Sequence, residues 1–306
     1  MENKDQKQYD RKQFIRDTIK MTAGIALWSS SSAAYGISAA GGRKEYTVQD
    51  VIDIILQSYP GERFKDTVDT IKSGTATATV TGIVTTMFPT VEVITKAIEQ
   101  KANLIIAHEP AFFNGSDNKE WIKDNRLVAL KTDLLNNNNI TIWRFHDYCH
   151  AIKPDMISYG FAKKAGWLPY FKPGELMLNI PSMRLSDLAK HLKKKLGIHM
   201  LRIIGDPSMS CQTIALLPGA WGGQRQMTTV NENQPDVLVV GEATEWETVE
   251  YIRDTKALGL HTSLIVLGHS VSEEPGMEWT ADWLKGKLDG VPVSHIPSGD
   301  PFTWIF

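Results

Sequence analysis

Two cysteines, Cys149 and Cys211, are all that the 306 residues contain. One pair is too few for a disulfide framework, and both are expected as free thiols. Charge is nearly balanced, with a net −2, and no basic cluster interleaves with aromatic residues. A nucleic-acid surface is therefore excluded. The chain has no internal repeat. It also lacks a glycine-rich phosphate loop: Gly219, Gly222 and Gly223 sit in a turn-rich stretch without the strand-to-helix pattern or the Gly-Lys-Ser/Thr that such a loop needs. No serine-nucleophile elbow occurs. A hydrophobic content of 42% nevertheless belongs to a globular chain with a substantial core.

The N-terminal segment differs in kind from the rest. Arg11-Lys12-Gln13-Phe14-Ile15-Arg16 supplies a basic region, and Met21 to Tyr35 is small, apolar and rich in serine and alanine. Ala33-Ala34 and Ala39-Ala40 offer small residues for cleavage. This layout predicts an export signal over residues 1–42, similar to a weakened twin-arginine signal with Lys12 in place of the second arginine. The apolar part is short and serine-rich for a membrane span, so no stable span is expected in the mature form. The protein is expected to be exported, to the periplasm, with a cytoplasmic location as the alternative.

Beyond residue 42, short apolar runs alternate with helical spacing. Thr47 to Ser58 reads as a helix closed by Tyr59-Pro60-Gly61, and Thr79 to Met87 as a strand. A helix over Val91–Lys101 capped by Thr90 follows, then a strand over Asn103–Ala107. Strand, helix and strand at this spacing form a βαβ unit with parallel pairing. Further strands are predicted over Ile140–Phe145, Val237–Val240 and Ser263–Leu267, and a last helix over Met277–Leu288, with Pro275 near its N-terminus. Residues 62–78 show no clear pattern. Composition shifts near Pro173-Gly174, and residues 176–235 read as an inserted β-α-β-β unit. The main domain is then residues 43–175 plus 236–306. The fold class is α/β.

Three predicted strands end on metal-type ligands. Leu104–Ala107 runs into His108-Glu109-Pro110, Ile140–Phe145 into His146-Asp147-Tyr148-Cys149-His150, and Ser263–Leu267 into Gly268-His269, with Glu273 four residues on. Sites in open α/β sheets form at the carboxyl ends of strands. Pro110 biases Glu109 toward extended backbone, so His108 and Glu109 point in different directions, an arrangement suited to two neighbouring ions. His146 and His150 would share a face in a helical turn, as would His269 and Glu273. Imidazole with carboxylate suits Zn, Mn, Fe or Ni better than Ca or Mg. His191, His199, His261 and His295 lack such company and read as surface or capping residues.

These segments resemble the NGG1-interacting factor 3-like family, also described as dinuclear metal centre or GTP cyclohydrolase 1 type 2-like proteins, from about Val48 to Phe306. Leu104 to Phe112 is similar to the family's Ile-Ile-x-His-His-Pro-Leu segment, and Gly268 to Glu273 to its Gly-His-x-x-x-Glu. Asp236 to Glu242 is similar to its Asp-x-x-x-Thr-Gly-Glu strand, and Gly299 to Phe302 to its C-terminal Asn-Pro-Phe. The resemblance places the family's first metal-binding histidine on His108 and its second on Glu109. The family's His-Thr-x-x-Asp falls on His146 to His150, with His150 where a bridging aspartate is expected, and the last pair falls unchanged on His269 and Glu273. A carboxylate and an imidazole have thus exchanged places, and Glu109 or Asp147 is left to bridge. Trp246 stands where the family has a histidine, and the acid that often precedes Thr90 is missing.

The resemblance implies a two-lobed α/β fold with mixed sheets flanked by helices, a ring-shaped homohexamer, and a centre of two divalent transition-metal ions held by His108, Glu109, His150, His269 and Glu273. Glu242 or His146 would serve as the orienting or proton-transfer group. The corresponding activity is hydrolysis of a small substrate by a metal-bound hydroxide. The alternatives are a non-catalytic metal carrier or oligomeric scaffold, and an interaction module with a vestigial site.

Overall fold

The computed structural model describes residues 44–305; the export signal expected over residues 1–42 lies outside them. Two five-stranded mixed sheets flanked by helices make up residues 44–305. The first half of the chain begins with α1 (Val48–Leu56), capped reciprocally by Thr47 and Asp50. There follow β1 (Ile71–Ser73), β2 (Ile83–Thr86), α2 (Val91–Glu99), β3 (Leu104–Ala107), α3 (Arg126–Asn137) and β4 (Thr141–Arg144). Next come α4 (Asp147–Ala151) and α5 (Met156–Ala165). The second half runs β5 (Met177–Arg184), α6 (Leu185–Leu196), β6 (Arg202–Ile204), β7 (Ser210–Leu217), α7 (Gly223–Asn233) and β8 (Val237–Val240). It ends with α8 (Glu250–Ala257), β9 (Ser263–Val266), α9 (His269–Lys285) and β10 (Val293–His295).

The first sheet has the order β1-β4-β3-β2-β10, parallel except for β1. The second has the order β5-β7-β8-β9-β6, parallel at its centre with antiparallel edges. The central strands β3 and β8 are buried on both faces, and their sequences are continuous apolar runs. Within β3, Leu104 and Ile106 pack toward α1 and α9, while Ile105 and Ala107 pack toward α2 and α3. In β8, Val237 and Val239 join the core under α5 and α6, and Leu238 and Val240 the core under α7 and α8.

Strand pairing departs from the expected insertion boundary at residue 236. β8 and β9, assigned from sequence to the main domain, bond to β7 and β6 and so complete the sheet that begins with β5. The helix α7 is also additional to the predicted β-α-β-β order. Its sequence is polar, and it is seated by the buried Gln226, Thr229 and Val230.

The last long helix begins earlier than its proline suggested. α9 starts at His269, with Pro275 inside it. Helix α5 crosses it so closely that a Cβ on Gly160 would overlap Pro275 and Gly276. Trp279 and Trp283 pack against the core, as their spacing predicted. Both cysteines are buried and free. No helix among the described residues is long and apolar enough to cross a membrane.

Candidate metal centre

The carboxyl ends of β3 and β4 from one sheet and of β8 and β9 from the other deliver the ligand-type residues to one place. β3 runs directly into His108 and Glu109. Beyond β4, His146 precedes α4, which carries His150 one turn later. Gly268, with φ of +103°, turns the chain from β9 into the first turn of α9, where His269 and Glu273 share a face. Glu242 follows β8.

Ligand atoms of His108, His146 and His150 lie within 4.8 Å of one another, as do those of His108, Glu109 and Glu273. The three imidazoles pack with ring centroids 4.6 to 5.1 Å apart. His269 Nε2 lies 3.3 Å from Glu109 Oε1 and 3.1 Å from Glu273 Oε2, and His146 Nε2 lies 3.7 Å from Glu109 Oε1. This His/Glu cluster can hold metal ions.

Every one of the four imidazoles is anchored at Nδ1. His108 Nδ1 meets the Phe145 carbonyl at 3.1 Å, and His146 Nδ1 meets Asp147 Oδ1 at 3.0 Å. His150 Nδ1 meets Asp155 Oδ2 at 2.9 Å, and His269 Nδ1 meets Glu242 Oε1 at 2.8 Å. A proton held on Nδ1 leaves the Nε2 lone pair facing inward, the tautomer that metal-binding histidines use. The fit to an ion has a direct sign. Among the described residues, the buried side-chain polar atoms with no hydrogen-bond partner are His108 Nε2 and Glu273 Oε2, 3.6 Å apart. A buried lone pair and a buried carboxylate oxygen left unpaired are costly in a protein interior, and a cation between them removes that cost.

Protonation follows from the surroundings. Burial, reinforced by the neighbouring His150 and His146, holds His108 well below the ordinary histidine range, so it is neutral. Burial opposes the charged form of His269, but the carboxylates of Glu109, Glu242 and Glu273 around it outweigh it and raise its pKa to about 12. His150 is likewise raised: burial works against its charge, and Asp155 overcomes it. For Glu109, burial pushes upward, but His269, His146 and Arg144 bring it below the usual carboxylate value.

The structure assigns distinct places to residues whose roles the sequence left open. Asp147 turns one oxygen to His146 and the other to Thr67 Oγ1 and the Val68 amide, so it braces an imidazole. His146 stands with His108 and His150 inside the ligand group, and Glu242 is the outer partner of His269.

Three supporting residues escaped the sequence reading. Asp69 accepts from the backbone amides of His146, Asp147 and Tyr148, and so fixes the start of α4. Arg144, buried within β4, reaches Glu109 Oε2 at 3.3 Å, Asp117 Oδ2 at 3.4 Å and the His108 carbonyl at 3.2 Å. A cation inside an otherwise apolar strand was the available sign of it. Asp155 caps α5 through Ser158 while holding His150.

Gly219, at the end of β7, has φ of +76°, and a Cβ there would overlap Glu273 Oε1. Replacing Gly219 with alanine is expected to weaken metal binding at least tenfold and to lower stability by about 1–3 kcal/mol. A chelator competition titration and a urea melt check both figures. Unchanged affinity would show that Glu273 is not confined by this glycine.

The geometry agrees with three comparisons. The chain is 24% identical over 260 residues to a protein of Clostridium acetobutylicum named GTP cyclohydrolase 1 type 2 homolog, covering 81% of this chain and 92% of that one. Among solved structures, the Staphylococcus aureus protein SA1388 superposes with a TM-score of 0.67 at 21% identity, over 85% of this chain and 99% of that one. A Bacillus cereus protein related to NIF3 matches with a TM-score of 0.67 at 16% identity, over 86% of this chain and 100% of that one. These structures share the fold of two mixed sheets. The family model Duf34/NIF3 (NGG1p interacting factor 3) matches residues 46–301, from just before α1 to beyond β10, and the chain belongs to that family.

Proposed function

We propose that this protein is a hydrolase of a small substrate that works with two divalent transition-metal ions. The observation that carries the reading is the inward-facing set of four Nδ1-anchored imidazoles and two carboxylates around the unpaired His108 Nε2 and Glu273 Oε2. His108, His146 and His150 would hold one ion, with Glu273 Oε2 also facing it, and Glu109, His269 and Glu273 the other. Two such ions supply activation of water near neutral pH and neutralise developing negative charge. The protein's own groups do the rest. Asp147, Asp155 and Glu242 fix ring orientation and keep a proton on each Nδ1. Arg144 holds Glu109 Oε2, so that Oε1 stays turned to His146 and His269. A cleft of about 1300 Å³ reaches Glu109, Glu242 and His269 and gives a substrate access from one side. The name carried by the curated relatives fits hydrolysis as the reaction class.

A carrier with the same ligands is the second reading. Trp246, 82% exposed, brings no imidazole to the cleft where the family resemblance expected one. The deciding measurement is metal content per chain by mass spectrometry, on protein purified without an affinity tag or chelator. It is followed by a screen of ester, phosphoester and amide substrates with the wild type and His108→Ala. About two ions per chain and turnover lost in His108→Ala are expected. Two ions without turnover of any class would move the assignment to a carrier, and no ion after reconstitution with Zn, Mn, Fe or Ni would overturn both readings.

A further inference from the structure

Beside the cleft lies a buried group of charges with one cation more than it has carboxylates, while the cleft's own lining carries Lys131 and Arg202 against Glu109, Glu242 and Asp300. Three cations are buried between β1, β4, α3 and the loop after Glu109: Lys72, Arg144 and Lys131. Two buried carboxylates face them. Asp117 is shared by Lys72 at 3.4 Å and Arg144 at 3.4 Å, and Glu109 is held by Arg144 and turned toward the histidines. Lys131 is left without a carboxylate within ion-pair distance among the described residues. The hydrogen bond it makes is to the Ala111 carbonyl at 2.7 Å, which uses one of its three donors. Buried ammonium groups are ordinarily paired. Lys131 lines the same cleft as Glu109 and His269, and Lys119 lies nearby, 3.6 Å over the ring of Phe112. Burial pulls the Lys131 ammonium down to about 8, with Asp117 opposing and Lys119 assisting.

The walls of the cleft have a second character. Phe113, Phe302 and Trp304 are 54%, 70% and 38% exposed and all line it, and Phe88 stands edge-on to the His269 ring at 5.7 Å. Exposed aromatic side chains gathered around one opening mark a binding surface, and their flat faces suit a planar partner.

We infer that the cleft binds an aromatic anion, with Lys131 as the anchor of its carboxylate or phosphate and the aromatic walls holding its ring. The inference names the substrate class for the proposed hydrolase and rests on that reading only for the reaction, since Lys131 belongs to the cleft whether or not ions are bound.

The test is calorimetric titration of the metal-loaded chain with 1-naphthyl phosphate, 1-naphthoate, 1-naphthol and inorganic phosphate. Wild type, Lys131→Met and Lys131→Arg are compared, and metal content is measured in each. At least one of the naphthyl anions is expected to bind tenfold or more tightly than 1-naphthol and than inorganic phosphate. The anion that does so identifies the acidic group. Lys131→Met should lose that tenfold preference with metal content unchanged, and Lys131→Arg should keep most of it. Naphthol binding as tightly as both anions, or Lys131→Met matching the wild type, overturns the anchor. Inorganic phosphate binding as tightly as naphthyl phosphate overturns the aromatic half. Binding that persists in chain stripped of metal supports the cleft assignment and separates it from any failure of the metal reading.

Discussion

Replacing Arg144 with methionine is expected to lower the stability of the metal-free chain by about 3–5 kcal/mol, because it leaves buried carboxylates without their cation. The guanidinium side chain is 4% exposed and touches Glu109, Asp117 and the carbonyls of His108 and Gly115. It therefore ties together the strand end that presents His108 and Glu109 and the loop that follows. Asp117 keeps Lys72 after the substitution, whereas Glu109 keeps only its histidine neighbours. Methionine is shorter than arginine but close to it in volume, so the loss reports charge and hydrogen bonds more than volume. A bound divalent ion beside Glu109 would replace part of the missing positive charge, so the metal-loaded variant should lose less stability than the metal-free one. Lysine at this position restores charge but not the planar fork, and should recover only part of the loss. Urea unfolding of the three proteins, with and without metal, measures both effects. Equal losses in the two states would mean that Glu109 and the ion do not share a site.

Arg144 also shows where the sequence was legible and where it was not. The strands ending at Ala107, Arg144 and Val266 were readable within a residue or two, because a strand buried on both faces has to be an apolar run. The residues just after them were readable as ligands, because histidine and glutamate have no packing reason to follow such runs. What supports those ligands was much less visible. Asp69 lies in a segment with no periodicity, and its use comes from a contact across 77 residues with the His146 amide. Asp155 is near His150 in sequence, but its carboxylate reads equally well as a helix cap, and it serves as both. The start of α9 was misplaced because Pro275 resembled a first-turn proline, while the chain had already turned at Gly268. The membership of β8 and β9 in the second sheet depends on long-range pairing, which apolar runs alone do not encode.

Metal affinity is expected to rise about a hundredfold between pH 6 and pH 8. With Glu109, Glu242 and Glu273 around it, His269 keeps its proton to about pH 12. An ion that takes the Nε2 lone pair must displace that proton, so affinity gains a factor of about ten per pH unit. His150, raised by Asp155, adds a second displaced proton at the lower end of the range, while His108 is neutral throughout and adds none. The same protonation stabilises the metal-free fold in a definite direction. An unfolded histidine titrates near 6.5, so the folded state binds the extra proton above that value. The stabilisation from His269 is complete below about pH 6.5 and is lost as pH rises toward the folded value. Between pH 6.5 and 7.5 the metal-free chain should therefore lose up to about 1.4 kcal/mol per pH unit. Glu109 and Glu242, both lowered, stay ionised in folded and unfolded chains across this window and do not contribute. Chelator competition at pH 6, 7 and 8, with calorimetry in buffers of different ionisation enthalpy, counts the protons released. Glu242→Gln weakens the hold on the His269 proton, and the slope in pH should persist as long as His269 still titrates above pH 8. A pH-independent affinity in the wild type would show that the ion does not bind through His269.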